Sequence, residues 1–169
     1  MADINVLIAL DLKTIVDLSI YSDNINKMRK ISNQYVHVLA PDGSSIKDYG
    51  GVNATISEVD IDDSVNWNVV NYSEFNSELS AILINYKLVD SKKSVTPPEL
   101  VSGDVYRPYI NNNEDINDSI KLDKIRQSYW TSNVLGLNVT EKYNGILKIY
   151  RKDELLGYAY FEQSMTFKV

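Results

Sequence analysis

The chain contains no cysteine. Disulfide scaffolds, thiolate zinc sites and cysteine nucleophiles are therefore excluded. There is one histidine, His37, so no two imidazoles can share a zinc ion. His37 lies between Val36 and Val38 in an apolar strand pattern. A lone histidine there more often faces solvent or a satisfied partner than acts as a general base, which needs a positioned partner. Glycine is scarce, and nowhere does it form G-x-x-x-x-G-K or G-x-G-x-x-G, so no phosphate-cradling loop is visible. A G-x-S-x-G nucleophile elbow is also missing. Surplus positive charge is missing too: the net charge is −6, and the longest basic cluster is the short run Lys27-Met28-Arg29-Lys30. Nucleic-acid partners need clustered Lys and Arg, so none is expected. No apolar run approaches the roughly 18 residues of a membrane-spanning helix, and no membrane partner is expected. The start, Met-Ala-Asp-Ile-Asn-Val-Leu-Ile-Ala-Leu-Asp, has no positive region and too short an apolar run for a signal peptide. The expectation is a cytoplasmic protein.

What is present is a period of two. The 169 residues, 44% hydrophobic and 24% charged, suit one domain, 1–169, that can bury a core unaided. Ile4 to Leu10 is a compact apolar run stopped by Asp11. Tyr35 to Leu39 is another, stopped by Pro41-Asp42-Gly43, and Gly50-Gly51 opens a segment from Val52 to Val59. Val65, Trp67 and Val69 alternate with Ser64, Asn66 and Asn68. Ile82, Ile84, Tyr86 and Leu88 are expected to line one face of the next strand. The polar run Asn71 to Ser77 then reads as a hairpin tip and a place for a binding surface. Gly145 to Tyr150 and Leu155 to Phe161 flank the polar turn Arg151 to Glu154, a second hairpin. Met165 to Val169 reads as a last strand. The pattern predicts an all-β fold, a single antiparallel β-sandwich with at most short helices.

Two regions depart from the pattern. Leu12 to Ser32 predicts a short helical turn plus loop. Asp90 to Trp130 holds three of the four prolines and Asn111-Asn112-Asn113, so it predicts one long loop region. Ile116, Ile120 and Lys124 allow one short helix within it.

Candidate ligand chemistry is sparse. The runs Asp60 to Asp63 and Asn112 to Asp115 are rich in oxygen, which calcium favours, but neither matches an EF-hand loop. Acidic turns before strands commonly bind nothing, so calcium is a possibility only. Tyr106, Tyr109 and the pair Tyr129-Trp130 cluster in the predicted loop region. Exposed Tyr and Trp offer rigid apolar faces with a polar handle, suited to sugar rings or protein partners. Trp67 alternates cleanly with its neighbours and reads as core. Trp130 is open between core and surface.

Three stretches together resemble one family. "INVLIALDLKTIV" is similar to an opening strand ending in Ile-Asp-Thr. "DDSVNWNVVNYSEFNSELSAILINYKL" resembles a Gly-Asp-x-Ile-x-Trp strand, a polar loop and a Ser-x-Ile-Leu-Tyr strand. The stretch from Tyr129 to Val169 resembles a Trp-containing strand, a Phe-x-Ile-x-Asp-x-x-Gly-x-x-x-Gly-Tyr hairpin and a last strand. The order and spacing are those of the PixA/AidA family of bacterial inclusion-body proteins. The resemblance implies a small β-rich protein without enzymatic activity, able to accumulate in cytoplasmic inclusions. It marks Asp11, Asp63, Trp67, Trp130, Gly157 and Tyr158 as recurrent positions. Here Asp62 replaces the family's Gly, Asn66 its Arg, and Phe161-Glu162-Gln163 its Trp-Asp-Pro. With three methionines, the methionine-rich storage idea does not carry over.

The resulting expectation is a self-associating, non-enzymatic inclusion-body protein with a host-interaction or storage role. The alternative is a carbohydrate-binding lectin, with or without calcium. Asp11, Asp63, Trp67, Tyr106, Tyr109 and Trp130 are the candidate binding residues.

Overall fold

The computed structural model describes residues 2–40, 52–73, 78–110 and 120–169. The first apolar run folds as β1, Asp3–Leu10. It lies between β3 (Val36–Leu39), antiparallel, and β5 (Ser64–Asn71), parallel, and it buries Val6, Ile8 and Leu10 in the core. Asp11 ends the strand and caps α1 (Leu12–Asp17), its Oδ1 accepting the Thr14 N–H at 3.0 Å. The helix buries Leu12, Ile15 and Val16. The short helix expected near the start is therefore present. The predicted turn at Pro41-Asp42-Gly43 and the Gly50-Gly51 opening lie outside the described residues.

The first sheet has the order β3-β1-β5-β8-β7, with β7 at Glu99–Ile110 and β8 at Ile120–Asn133. The second has the order β2-β10-β9-β6, from β2 (Arg29–Lys30), β6 (Leu79–Val89), β9 (Thr140–Arg151) and β10 (Glu154–Phe167). The short strand β4 (Asn53–Ile56) pairs with β10 beyond this path. Inward-facing residues of both sheets meet in one hydrophobic cluster that includes Ile8, Trp67, Tyr86, Tyr143, Leu147, Phe161 and Phe167. The fold is an all-β sandwich, as the period of two predicts. Its sheets are mixed, because β1–β5, β10–β2 and β10–β4 pair in parallel.

Several details differ from the sequence expectation. β5 and β6 lie in different sheets, so the run beginning at Asn71 is a crossover between sheets and not a hairpin tip. Part of that run, 74–77, lies outside the described residues. β6 carries a register shift between Leu83 and Asn85. A bulge shifts the alternation by one residue. Ala81 and Leu83 thus face the core before it and Tyr86 and Leu88 after it, while Ile82 faces outward. Met165 to Phe167 is the end of the long strand β10, not a separate element. The hairpin around Arg151 to Glu154 is present as β9–β10.

The largest difference is the region predicted as one long loop. From Glu99 onward the described part of it folds as the hairpin β7–β8, paired from Glu99↔Thr131 to Ile110↔Ile120. Pro108 sits in β7, which is the edge of its sheet and can spare the missing N–H. Ile120 and Lys124 are strand residues, so the helix expected there does not form. Ile116 lies outside the described residues.

Candidate functional site

The hairpin β7–β8 is longer than the sheet that anchors it. β8 pairs with β5 only from Trp130 to Asn133, opposite Trp67 to Ser64. From Ile120 to Tyr129 its one ladder partner among the described residues is β7. The two strands leave the sandwich as a free ribbon.

Side chains alternate between the ribbon's two faces. Even-numbered residues share the face of Trp130, which in the body of the protein is the core side. There the second sheet covers it, and the Trp130 indole N–H donates to the Leu83 carbonyl at 2.9 Å. Further out no second sheet lies beneath. Ser102 and Ser128 hydrogen-bond at 2.7 Å, and Lys124 pairs with Asp104 at 2.8 Å. Beyond them come Tyr106, Pro108, Ile110, Ile120 and Leu122. The four largest are exposed by 63%, 57%, 62% and 63% for Tyr106, Ile110, Ile120 and Leu122. An isolated two-stranded hairpin is marginal in water, and apolar residues clustered on one exposed face mark a contact surface.

The odd-numbered face continues the outward side of the first sheet and forms a groove with it. Asn5 and Leu7 of β1 and Asn66 and Asn68 of β5 make the floor; Gly103 and Val105 of β7 and Gln127 and Tyr129 of β8 make the wall. The cavity is about 390 Å³ and no charged side chain lines it. Parallel pairing sets Asn5 directly opposite Asn66 and Leu7 opposite Asn68. Among the described residues, the side chains of Asn5, Asn66 and Gln127 form no hydrogen bond, while Asn68 Oδ1 accepts the Val69 N–H at 2.8 Å.

The six residues singled out from sequence do not converge. Trp67 is fully buried, with ring centroids 5.2 Å from Tyr86 and 5.4 Å from Tyr143. Trp130 is its direct cross-strand neighbour and is half-buried. Tyr106 and Tyr109 lie on opposite faces of the ribbon, not in a loop. Asp11 caps α1. Asp63 is buried, its two oxygens accepting the Ala2 N–H at 2.6 Å and the Asp60 N–H at 2.9 Å. Those bonds, Ala2 first, hold its carboxyl below the usual range. Gly157 and Tyr158 sit where β10 meets Ser22, with paired backbone bonds of 2.7 and 2.9 Å between Tyr158 and Ser22. Of the groove residues, Tyr129 was singled out from sequence in the aromatic cluster, while the amides were missed because they carry no motif. Their signal was the outward row Asn66 and Asn68, amides where a solvent face would ordinarily carry charge.

Buried polar groups lie in the core. Tyr86 stacks on Tyr143 at 5.0 Å and its hydroxyl donates to Gln163 Oε1 at 2.8 Å. Burial pushes the Tyr86 hydroxyl well up, and that of Tyr143 too. Trp67 Nε1, the Tyr143 hydroxyl and Gln163 Nε2 have no protein partner among the described residues. His37 packs edge-on against Tyr72 at 5.3 Å. Among the described residues no three His, Asp or Glu side chains converge to hold a metal ion. The acidic run Asn112 to Asp115 lies outside them. No helix of the described residues is long and apolar enough to cross a membrane.

Two mixed sheets around one core, with a projecting ribbon, define a β-sandwich class of protein. Within that class the chain belongs to the PixA inclusion body protein family, whose model matches residues 2–167. It is similar in fold to the crystal structure of an inclusion body protein of the PixA family from Burkholderia cenocepacia J2315. That likeness has a TM-score of 0.74 at 14% identity, covering 98% of this chain and 95% of the other. Comparison with curated proteins finds no match.

Proposed function

We propose that this inclusion-body family protein acts by associating with itself through the even-numbered face of the β7–β8 ribbon, and that it accumulates in the bacterial cytoplasm in a storage or host-interaction role without catalysing a reaction. The observation that carries the reading is the exposed cluster Tyr106, Pro108, Ile110, Ile120 and Leu122. In the sandwich the same strand face is covered by a second sheet; in the ribbon it is bare. A second copy supplies an identical face, and two-fold packing buries both ribbons at once. The border suits such a contact. Asp104 and Lys124 give each ribbon both signs of charge beside the apolar cluster, so a two-fold arrangement can match them.

Sedimentation of the full chain and of a Tyr106→Glu, Leu122→Glu double variant tests this. Both positions are exposed, so circular dichroism of the variant should match wild type. The expected result is a dimer or larger species for wild type and a monomer for the variant. A wild-type chain that stays monomeric at high concentration overturns the reading.

A further inference from the structure

We propose that the groove between the ribbon and the first sheet is a binding site for a neutral saccharide, held by Asn5, Asn66, Asn68 and Gln127 with Tyr129 as an apolar wall. The site uses the ribbon face opposite to the one that self-associates, so it holds or fails independently of assembly. The sugar reading from sequence rested on Tyr106, Tyr109 and the pair Tyr129-Trp130, and of these only Tyr129 lines the groove.

The chemistry of the lining selects the ligand. A cavity of about 390 Å³ suits one or two sugar rings. Each amide side chain both donates and accepts, which matches hydroxyl groups that do the same. Three of the four amides have no protein partner among the described residues, so binding a hydroxyl breaks no bond already made there. Tyr129, Val105 and Leu7 give the C–H face of a ring an apolar surface. No lysine or arginine is present to favour a phosphate, sulfate or carboxylate, and no aspartate or glutamate to hold calcium.

A peptide strand would share the amide chemistry but would pair along the backbone edges left open among the described residues, of β8 from Ile120 to Tyr129 and of β5 beyond Trp67, not with the groove floor. The groove floor is β1 and β5, and over this stretch β1 already has ladder partners on both sides at Leu7. The floor thus presents side chains, whereas strand addition needs a free backbone edge. Gly103 leaves the wall open: a Cβ built there meets nothing within 4 Å. A large side chain at this position fills the groove while the fold has room for it.

The test is a glycan array probed with the full-length protein, followed by titration calorimetry of each glycan retained. It is run on wild type, Gly103→Phe and Asn66→Leu, with and without chelator. Expected is selective retention of neutral glycans, unchanged by chelator and weakened about tenfold or more in both variants. Gly103→Phe acts by occupancy and Asn66→Leu by removing hydrogen bonds, so the two fail to bind for different reasons. A blank array overturns the proposal. So does binding confined to sialylated or sulfated glycans, binding lost on chelation, or binding that Gly103→Phe leaves intact. Thermal melts of both variants confirm that a loss of binding is not a loss of fold.

Discussion

Trp130 fastens the base of the ribbon to the opposite sheet, its indole N–H donating to the Leu83 carbonyl at 2.9 Å. Leu83 lies on β6, the edge of the second sheet, and an edge strand carries carbonyls that its own ladder does not use. The register shift that follows, between Leu83 and Asn85, lies beside that contact. Trp130→Phe keeps an aromatic ring beside Trp67 and removes the donor. The expected cost is about 1–2 kcal/mol, from the lost bond and an orphaned half-buried carbonyl. Chemical denaturation measures the cost. Hydrogen exchange should quicken in the ribbon amides around Leu100 and Ser128 before it quickens in β9 and β10. Uniform loss of protection would show that the tryptophan supports the whole core and not the ribbon's base.

Tyr86 and Tyr143 stack on each other, yet their hydroxyls differ. That of Tyr86 donates to Gln163 Oε1, while that of Tyr143 has no partner among the described residues. Tyr86→Phe should cost about 1 kcal/mol or more, because it strands a buried amide oxygen. Tyr143→Phe should be neutral or stabilising, because it removes a buried hydroxyl that makes no bond. Urea midpoints of the two variants should separate in that order. Burial raises both phenol pKa values in the folded state. The stability they contribute is therefore complete below about pH 10 and is lost as pH rises towards the folded values. An alkaline absorbance titration should leave two of the 12 tyrosines un-ionised until the chain unfolds.

Asp63 gives the opposite pH dependence. The Ala2 and Asp60 N–H groups depress its folded pKa, so its contribution is present above the unfolded value of about 3.9 and fades as pH falls through the folded one. Asp63→Asn should be clearly less stable than wild type at pH 6, with the gap narrowing below pH 4. Guanidinium melts across that range read the gap. A constant gap would mean that the hydrogen bonds depend on side-chain shape alone.

Where burial on one face wrote a period of two, the strands were legible: Val65, Trp67 and Val69 point inward as their spacing says. The β6 faces were misread because a single bulge shifts the alternation, and nothing in Ile82-Leu83-Ile84 marks which residue is the extra one. The ribbon was read as loop because its two faces are both largely solvent-exposed, so burial imposes little pattern and Pro108 argues against a strand. Parallel pairing of β1 with β5 could not be seen locally, since it depends on partners roughly 60 residues apart. For the same reason the groove was invisible: Asn5, Asn66 and Gln127 meet only through that pairing and the ribbon's path.

Three glycines in strands make the last prediction, because an added methyl group meets a different obstacle at each. At Gly103 it meets nothing within 4 Å. Gly103→Ala should be neutral or stabilising by up to about 1 kcal/mol, since glycine inside a strand costs conformational entropy. At Gly145 it would lie 2.4 Å from Phe161 Cζ. That ring is fully buried opposite Gly145, so it can move only by disturbing the core, at about 1–3 kcal/mol. At Gly157 it would lie 2.5 Å from the Ser22 carbonyl oxygen, at a φ of +156°. Backbone is the obstacle there, and the Ser22 carbonyl accepts the Tyr158 N–H, so relief means giving up that bond. Gly157→Ala should cost at least as much as Gly145→Ala, from steric overlap and the lost bond together. Calorimetric melting of the three alanine variants should rank Gly103 highest, then Gly145, then Gly157. A Gly157→Ala chain that melts with wild type would show that the Tyr21–Ser22 segment can lift off β10 at no cost.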